Sequence, residues 1–373
     1  MKIGIITIHR SPSYGGSLQA YALYKYLFNL GYDVEIIDLL RPTHQGYLYS
    51  LKYHRMRIGF MEYLKNTIYA ILRISSNKFD SIAYNEKFVE FNKLLKLSRT
   101  YKSVNDIYEN PPTYDVYITG SDQVWNPAQP YAMAPYFLTF VKSGRKVSYA
   151  ASVGLADLLP NEKCLFKKWI EAYDFVSVRE ISIKKYFESF VNIRIERVAD
   201  PTFLLARQEW QGISVKPDYK NYILLFELSH NPQLVEFCKK LSIQSGKQLV
   251  VLGQKEPLCR DKSYITINNA GPLEFIGYIG SADLVITDSF HGTVFSIIMY
   301  ACNFYTYIAP RNKRGSRIID LLSLHNVSDH LLDTSLSQNW EELSGNEINW
   351  SIVNDCYYRE QNMSQEFLNK SLS

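Results

Sequence analysis

The first 38 residues show a strand-like, a helical and a second strand-like pattern in turn, and few folds begin in this order. Residues 2–8 are mostly aliphatic, a loop rich in Ser, Pro and Gly follows, residues 17–30 have helical periodicity, and residues 33–38 are strand-like again. Gly31 lies just past the helical segment, where glycine commonly ends a helix. Strand, helix and strand in this order form a parallel βαβ unit. The chain is therefore predicted to be an α/β protein with doubly wound parallel sheets.

Further strand-like runs come in two sets, which a polar segment at residues 207–221 separates. The first set continues at residues 115–119, 146–151, 175–178 and 197–199, and the second occupies residues 222–228, 248–252, 264–267, 284–287 and 304–308. A length of 373 residues suits two domains. We expect Rossmann-like domains at residues 1–206 and 222–335 and a helical tail at residues 336–373.

The most informative local signal is the passage from an apolar strand at residues 282–287 to a helical segment at residues 293–301. His291 falls at the mouth of that helix, where free N–H groups and the helix dipole favour an anion. Gly292 would let a ligand approach closely. Two interpretations stay open: His291 acts as a general acid beside a bound anion, or it caps the helix within the fold.

The composition argues against several classes of protein. The net charge of +4 is too small to indicate nucleic-acid binding, and no zinc-finger or RNA-binding pattern accompanies it. Five scattered cysteines without a Cys-x-x-Cys pair suggest neither a disulfide framework nor a zinc site. The first residues lack the pattern of a signal peptide, and no apolar run is long enough to span a bilayer. We therefore expect a cytoplasmic protein.

Five short motifs occur in order along the chain: GGSLQA at 15–20, GSDQVWNP at 120–127, VSVRE at 176–180, DPT at 200–202 and DSFHG at 288–292. Together they resemble the polysaccharide pyruvyl transferase family, and the resemblance covers most of the chain. The family implies two Rossmann-like halves that face a cleft, as in GT-B glycosyltransferases. By analogy with those enzymes, the C-terminal tail is expected to cross back onto the first half.

The resemblance also implies a reaction. Pyruvate passes from phosphoenolpyruvate to two hydroxyls of a sugar as a cyclic ketal, and phosphate is released. The expected acceptor is a hexose such as galactose in a precursor of a capsule or exopolysaccharide, and acceptors in this family are often linked to a lipid. The enzyme then needs a proton donor, cations for the two anionic groups of the donor, and a base for the sugar hydroxyl.

Three residues are expected to be catalytic. His291 is assigned as general acid or phosphate partner, Arg179 as the cation, and Asp122 as a base for the sugar hydroxyl. Arg179 and Asp122 each follow an apolar strand, at the sheet edge where α/β proteins bind ligands. Each residue has a structural alternative: a helix cap for His291, an ion pair with Glu180 or another carboxylate for Arg179, and an Asx turn or helix cap for Asp122.

Substrate-binding residues are expected on the phosphoenolpyruvate side, in the second domain. Ser289, Gly292 and Thr293 form the helix mouth. Some members of the family have an arginine at the position of Ser289, and Arg311 and Lys313 in the following basic loop can replace that charge. A solvated basic loop without a ligand is the alternative.

The acceptor side is expected in the first domain. Gly15, Gly16 and Gln19 belong to the loop after the first strand, and Trp125 offers a stacking face to the sugar, with a place in the core as its alternative. The DPT motif at residues 200–202 is expected to be a structural turn.

Residues 41–110 form an insertion after the opening unit. Within residues 51–78, six basic residues stand against a single acid, Glu62, beside an apolar and aromatic run. We interpret this segment as an ordinary solvated helix with its apolar face on the domain. The alternative is a basic amphipathic helix on the anionic inner face of the membrane.

Two other functions compete with pyruvyl transfer. One is a GT-B glycosyltransferase that uses a nucleotide sugar, whose diphosphate suits the same helix mouth, and the other is a carbohydrate-binding relative without turnover. No cofactor is expected beyond phosphoenolpyruvate as co-substrate. Neither an Asp-x-Asp pair nor a histidine cluster indicates a metal site. The first loop lacks Gly-x-Gly-x-x-Gly, so NAD is not expected, although Asp38 loosely matches the acid of such a site.

Overall fold

A computed structural model describes residues 1–41, 44, 46–48, 82–129, 133–154, 157–253, 263–310 and 315–373. Within these residues the chain forms two separate parallel sheets, each covered by helices. The predicted α/β class is confirmed. The domain boundaries at residues 206 and 222 stay predictions.

The first sheet contains β1 (Lys2–Ile6), β2 (Asp33–Ile36), β3 (Val116–Thr119), β4 (Arg145–Ala151), β5 (Phe175–Val178) and β6 (Ile195–Arg197). The strands are parallel in the order β2-β1-β3-β4-β5-β6. β6 lies two residues earlier than predicted, because the Ala199 N–H donates to Ser364 Oγ and not to a neighbouring strand. The strand order reverses between β1 and β3, and such a reversal opens a ligand-binding crevice at the carboxyl ends.

The second sheet contains β7 (Tyr222–Phe226), β8 (Gln248–Leu252), β9 (Ile265–Ile267), β10 (Leu284–Thr287) and β11 (Phe304–Thr306). The strands are parallel in the order β11-β10-β7-β8-β9. Here the order reverses between β7 and β10. The second crevice therefore lies where the predicted helix mouth follows β10.

The helices of the described residues are α1 (Tyr14–Asn29), α2 (Ile82–Asn92), α3 (Val104–Glu109), α4 (Pro160–Ile170), α5 (Ile181–Glu188), α6 (Arg207–Ile213), α7 (Pro232–Ser245), α8 (Pro272–Ser281), α9 (Phe290–Ile298), α10 (Ser316–Leu324), α11 (Trp340–Gly345) and α12 (Trp350–Leu372). Both α1 and α9 begin three residues before the predicted start. Ser13 Oγ caps α1 by accepting from the Gly16 N–H at 3.5 Å, and Ser289 Oγ caps α9 by accepting from the Gly292 N–H at 3.3 Å. The glycines of both motifs thus belong to the first turn of a helix.

One apolar core joins the two halves. Tyr14 of α1 stacks on Phe275 of α8 with ring centroids 4.4 Å apart, and its hydroxyl donates to the Ala270 carbonyl at 3.0 Å. The predicted linker begins with α6. Its Trp210 is fully buried, and the ring centroids of Trp210 and Phe295 of α9 are 5.1 Å apart. The start of α1 is therefore held firmly against the second half.

The C-terminal helix α12 packs on the first half. The Tyr357 hydroxyl donates to the Leu205 carbonyl at 3.0 Å, and the Glu360 carboxylate pairs with Arg197 of β6. None of the helices in the described part of the chain has the length and apolar character needed to cross a membrane. The interpretation of residues 51–78 falls on residues outside the described ones.

Candidate active site

The N-termini of α1 and α9 meet between the two halves at His291. Each helix follows a strand that borders a reversal of strand order, α1 after β1 and α9 after β10. A Cβ atom at Gly15 would lie only 2.0 Å from His291 Nδ1, so glycine alone allows this approach. Because a helix N-terminus carries partial positive charge and free N–H groups, the meeting of two such ends favours an anion at this point.

The His291 ring is almost buried, with 9% of the residue exposed. Nε2 lies 3.4 Å from Asp200 Oδ2, which is an ion-pair distance, but it makes no hydrogen bond to any described residue. The ring packs edge to face on Phe290 at 5.2 Å. His291 is thus placed by its neighbours while the hydrogen bond of Nε2 remains to be made.

Asp200 of the first half lies at ion-pair distance from His291 of the second half. Its buried Oδ1 accepts from the Thr202 N–H at 3.1 Å and the Thr202 hydroxyl at 2.8 Å, and Oδ2 accepts from Arg179 at 2.7 Å. Burial acts to raise the pKa of Asp200, but the charges of His291 and Arg179 outweigh it and hold the pKa well below its ordinary value. Asp200 does cap a turn, as predicted, but its contact with His291 was missed. The DPT motif was the only signal in the sequence.

Arg179 is pinned by carboxylates. Beside the bond to Asp200, its Nε and Nη2 donate to Glu180 Oε1 at 3.3 and 3.2 Å, and its guanidinium lies 4.3 Å from the Phe290 ring centroid. Burial acts to lower the pKa of Arg179, but Glu180, Asp200 and Asp122 outweigh it, so that the pKa lies above its ordinary value. The structural alternative, the ion pair with Glu180, is thus present. In this position Arg179 orients Asp200, the partner of His291.

Asp122 lies at the first turn of α1. It adopts a left-handed conformation with φ of 68°, and its carbonyl accepts from the Ser152 N–H at 3.1 Å. A Cβ atom at Gly16 would lie 3.7 Å from Asp122 Oδ2. The side chain is partly exposed. Adjacent glycines therefore place a carboxylate and an imidazole at the same helix terminus.

The predicted helix mouth turns out to be mainly structural. Ser289 caps α9, and a Cβ atom at Gly292 would lie 2.3 Å from Thr287 Oγ1, so this glycine serves close packing on β10 and not ligand approach. Thr293 is fully buried, and its hydroxyl bonds the Ser289 carbonyl at 3.0 Å and Thr306 Oγ1 at 2.9 Å. Thr293 therefore offers no group to a substrate.

Two predicted acceptor contacts lie inside the first half. Gln19 is fully buried, and its amide donates to Thr7 Oγ1 at 2.9 Å. Trp125 is also fully buried, its indole N–H donates to the Tyr136 carbonyl at 3.0 Å, and its ring stacks on Phe137 at 4.6 Å. The prediction of a sugar-stacking Trp125 is wrong, because the indole fills the core beneath the sheet edge.

Arg311 and Lys313 lie outside the described residues. In the described part of the chain, no group of three or more His, Cys, Asp or Glu side chains is arranged to hold a metal ion. Asp38 is fully engaged: Oδ1 accepts from His9 at 3.0 Å and Arg10 at 2.5 Å, and Oδ2 accepts from Arg10 and Thr100, both at 2.6 Å. It has no oxygen left to bind a ribose.

Comparison with known proteins assigns these motifs to a family. A sequence profile of the polysaccharide pyruvyl transferase family matches residues 14–299. No curated protein sequence matches the chain significantly.

Solved structures show the fold. The UDP-GlcNAc 2-epimerase of Methanocaldococcus jannaschii, in complex with UDP-GlcNAc and UDP, is 14% identical, with 100% of each chain covered and a TM-score of 0.51. The UDP-N-acetylglucosamine 2-epimerase of Rickettsia bellii is 10% identical, with 100% of this chain and 95% of that chain covered and a TM-score of 0.52. At such identities the similarity extends to the fold alone, and it confirms two Rossmann-like halves of the GT-B type.

Proposed function

We propose that this chain, which belongs to the polysaccharide pyruvyl transferase family, transfers pyruvate from phosphoenolpyruvate to two hydroxyls of one sugar, closing a cyclic ketal and releasing phosphate. The observation that supports this most is the meeting of two helix N-termini at His291. Phosphoenolpyruvate carries a phosphate and a carboxylate, and helix N-termini favour such anions through their N–H groups and dipoles.

His291 is proposed as the general acid. Protonation of the methylene carbon of phosphoenolpyruvate turns it into a methyl group and leaves C2 electron-poor. Asp200, 3.4 Å from His291 Nε2, stabilises the imidazolium that must deliver this proton. In such a pair, the buried carboxylate orients the imidazole and stabilises its protonated form.

Asp122 is proposed to accept the proton of the first sugar hydroxyl as that oxygen adds to C2. Phosphate then leaves, and the second hydroxyl adds to C2 and closes the ring. The two hydroxyls lose two protons, of which one balances the new methyl hydrogen and the other leaves on phosphate. The partly exposed carboxylate beside Gly16 supports this assignment, since it can meet a substrate without leaving the helix terminus.

The reaction is tested by incubating the purified protein with phosphoenolpyruvate, and separately with nucleotide sugars, over a panel of galactoside and N-acetylhexosaminide acceptors, both free and lipid-linked. Free phosphate and acceptor mass are measured. We expect phosphate release together with an acceptor mass gain equal to a pyruvate ketal. A hexose-sized gain would assign the chain to the glycosyltransferases. Acceptor binding without any product would indicate that the chain is a carbohydrate-binding relative without turnover.

The site assignment is tested with His291→Gln, which keeps a polar side chain in the first turn of α9. A general acid contributes about 10²–10⁴-fold to a rate, so kcat for phosphate release should fall by that factor at saturating phosphoenolpyruvate. Circular dichroism and thermal unfolding should match the wild type. If the variant folds normally and turns over at the wild-type rate, His291 is not the acid.

We further propose that the acceptor is a precursor of a surface polysaccharide, that the reaction needs no metal, and that the enzyme works in the cytoplasm. Contact with the inner face of the membrane through residues 51–78 is the alternative that the sequence left open. Co-sedimentation with anionic liposomes tests the last point. Binding that disappears when residues 51–78 lose their basic side chains would support contact through this segment. If the protein stays in the supernatant, membrane contact is ruled out.

A further inference from the structure

The proposed donor brings more negative charge than Arg179 can balance. Phosphoenolpyruvate has two anionic groups, whereas Arg179 already contacts both Asp200 and Glu180 and is 5% exposed. A cation held between two carboxylates is largely neutralised, and the site needs a further cation near His291 if it is to hold both groups.

Arg317 is a further cation beside Phe290, the residue that precedes His291. It lies in the first turn of α10, and its guanidinium carbon is 5.4 Å from the centroid of the Phe290 ring, the ring that Arg179 approaches to 4.3 Å. Arg317, Arg179 and Asp200 line one cavity. A guanidinium that rests on an aromatic face binds anions through its edge, where its N–H groups form a planar fork.

The charges around this cavity are mixed. Arg197 is paired with Glu360, and Glu180 and Asp320 also line the cavity. Burial and the neighbouring charge of Glu180 raise the pKa of Asp320. Arg317 is partly exposed, whereas Arg179 is buried.

The size of the cavity limits what can enter it. Its free space is about 20 Å³, which suits one water-sized group. Phosphoenolpyruvate as a whole does not fit, but a single oxygen of its carboxylate or phosphate does. The body of the donor then stays at the N-termini of α1 and α9.

We propose that Arg317 binds one anionic group of the donor beside the Phe290 ring that Arg179 also contacts, and that it thereby determines the affinity for phosphoenolpyruvate. This inference rests on the proposed function. Arg317 thus supplies a cation from α10 in the second half. Its guanidinium lies beside Phe290, which precedes His291 in the chain.

Calorimetric binding of phosphoenolpyruvate, and KM and kcat for phosphate release, are compared for the wild type, Arg317→Ala and Arg317→Lys. A charge-assisted hydrogen bond contributes about 1.5–3 kcal/mol, so Kd and KM of Arg317→Ala should rise about 10- to 100-fold, with kcat much less affected. Arg317→Lys should fall between the two. The matched control is Arg194→Ala, whose side chain is 78% exposed and pairs with Glu196; its Kd should equal that of the wild type.

Inorganic phosphate and pyruvate serve as separate probes. Loss of phosphate binding in Arg317→Ala assigns the phosphate to Arg317, and loss of pyruvate binding assigns the carboxylate. If a folded Arg317→Ala or Arg317→Lys variant binds phosphoenolpyruvate like the wild type, the inference is wrong while the proposed function stands. If the wild type binds no phosphoenolpyruvate and uses nucleotide sugars instead, both are overturned.

Discussion

Gly15 sets how closely the two halves approach at His291. Replacing it with alanine puts a Cβ atom 2.0 Å from His291 Nδ1, so the ring or the start of α1 must move. We expect Gly15→Ala to lower the free energy of unfolding by about 1–3 kcal/mol, as overpacking does, and to reduce kcat because His291 is displaced. Urea denaturation and phosphate release measure the two effects.

The chain offers a matched control in Gly212 of α6. A Cβ atom there meets nothing within 4 Å, so Gly212→Ala should leave kcat unchanged and stabilise the helix by about 0.5–1 kcal/mol. If both substitutions have the same effect, the close approach at Gly15 does not place His291.

The lowered pKa of Asp200 predicts how the stability of the protein depends on pH. Its folded pKa lies below the unfolded value, so the stabilisation by its carboxylate is complete above the unfolded pKa and is lost as pH falls towards the folded pKa. We expect Asp200→Asn to cost about 3 kcal/mol at neutral pH, because Arg179 loses one of its two buried carboxylate partners. The difference from the wild type should shrink below about pH 4. Urea titrations across this range test it, and a difference that does not change with pH would contradict the assignment.

At the scale of single elements, the two helix caps create the site. Ser13 and Ser289 start α1 and α9 early enough to bring Gly15 and His291 into their first turns. The sequence pattern predicted both helices three residues late, because the first turn is defined by a side-chain cap and not by apolar periodicity.

Substitutions at Ser289 separate stability from donor binding. Ser289→Ala removes the cap and should cost about 1 kcal/mol in the free energy of unfolding. Ser289→Asp keeps a cap but adds a negative charge at the proposed anion site, so stability should be retained while KM for phosphoenolpyruvate rises. Thermal unfolding and steady-state kinetics measure these effects. An unchanged KM in Ser289→Asp would place the donor elsewhere.

At the scale of the whole molecule, α12 ties the end of the chain to the first half. Glu360 and Arg197 form an ion pair in which the Glu360 side chain is 4% exposed. Removing one partner leaves a buried charge, so Glu360→Leu alone should cost about 3–5 kcal/mol in the free energy of unfolding. Adding Arg197→Met should recover part of that loss. A double-mutant cycle by urea denaturation measures the coupling, and purely additive effects would mean that the pair does not contribute.

The fold was largely predictable and the site only partly so. The strands β1 to β11 could be predicted from the sequence because apolar runs and turn residues are local signals. β6 lies two residues earlier than predicted because Ala199 contacts Ser364, and no local pattern contains that contact. Trp125 and Thr293 were predicted at the substrate, whereas both lie in the core. A residue near a strand end can point to either face, and its sequence position does not tell which.

Local sequence patterns were enough to predict the two parallel sheets, the helices between them and the crevice edges for His291, Arg179 and Asp122, because hydrophobic periodicity and turn chemistry act over a few residues. The contact of Asp200 with His291, the two carboxylates that hold Arg179 and the approach of Arg317 to Phe290 were visible in the folded molecule alone. Those contacts depend on how the two halves pack around α1, and that packing is the sum of many distant apolar contacts which no single motif encodes.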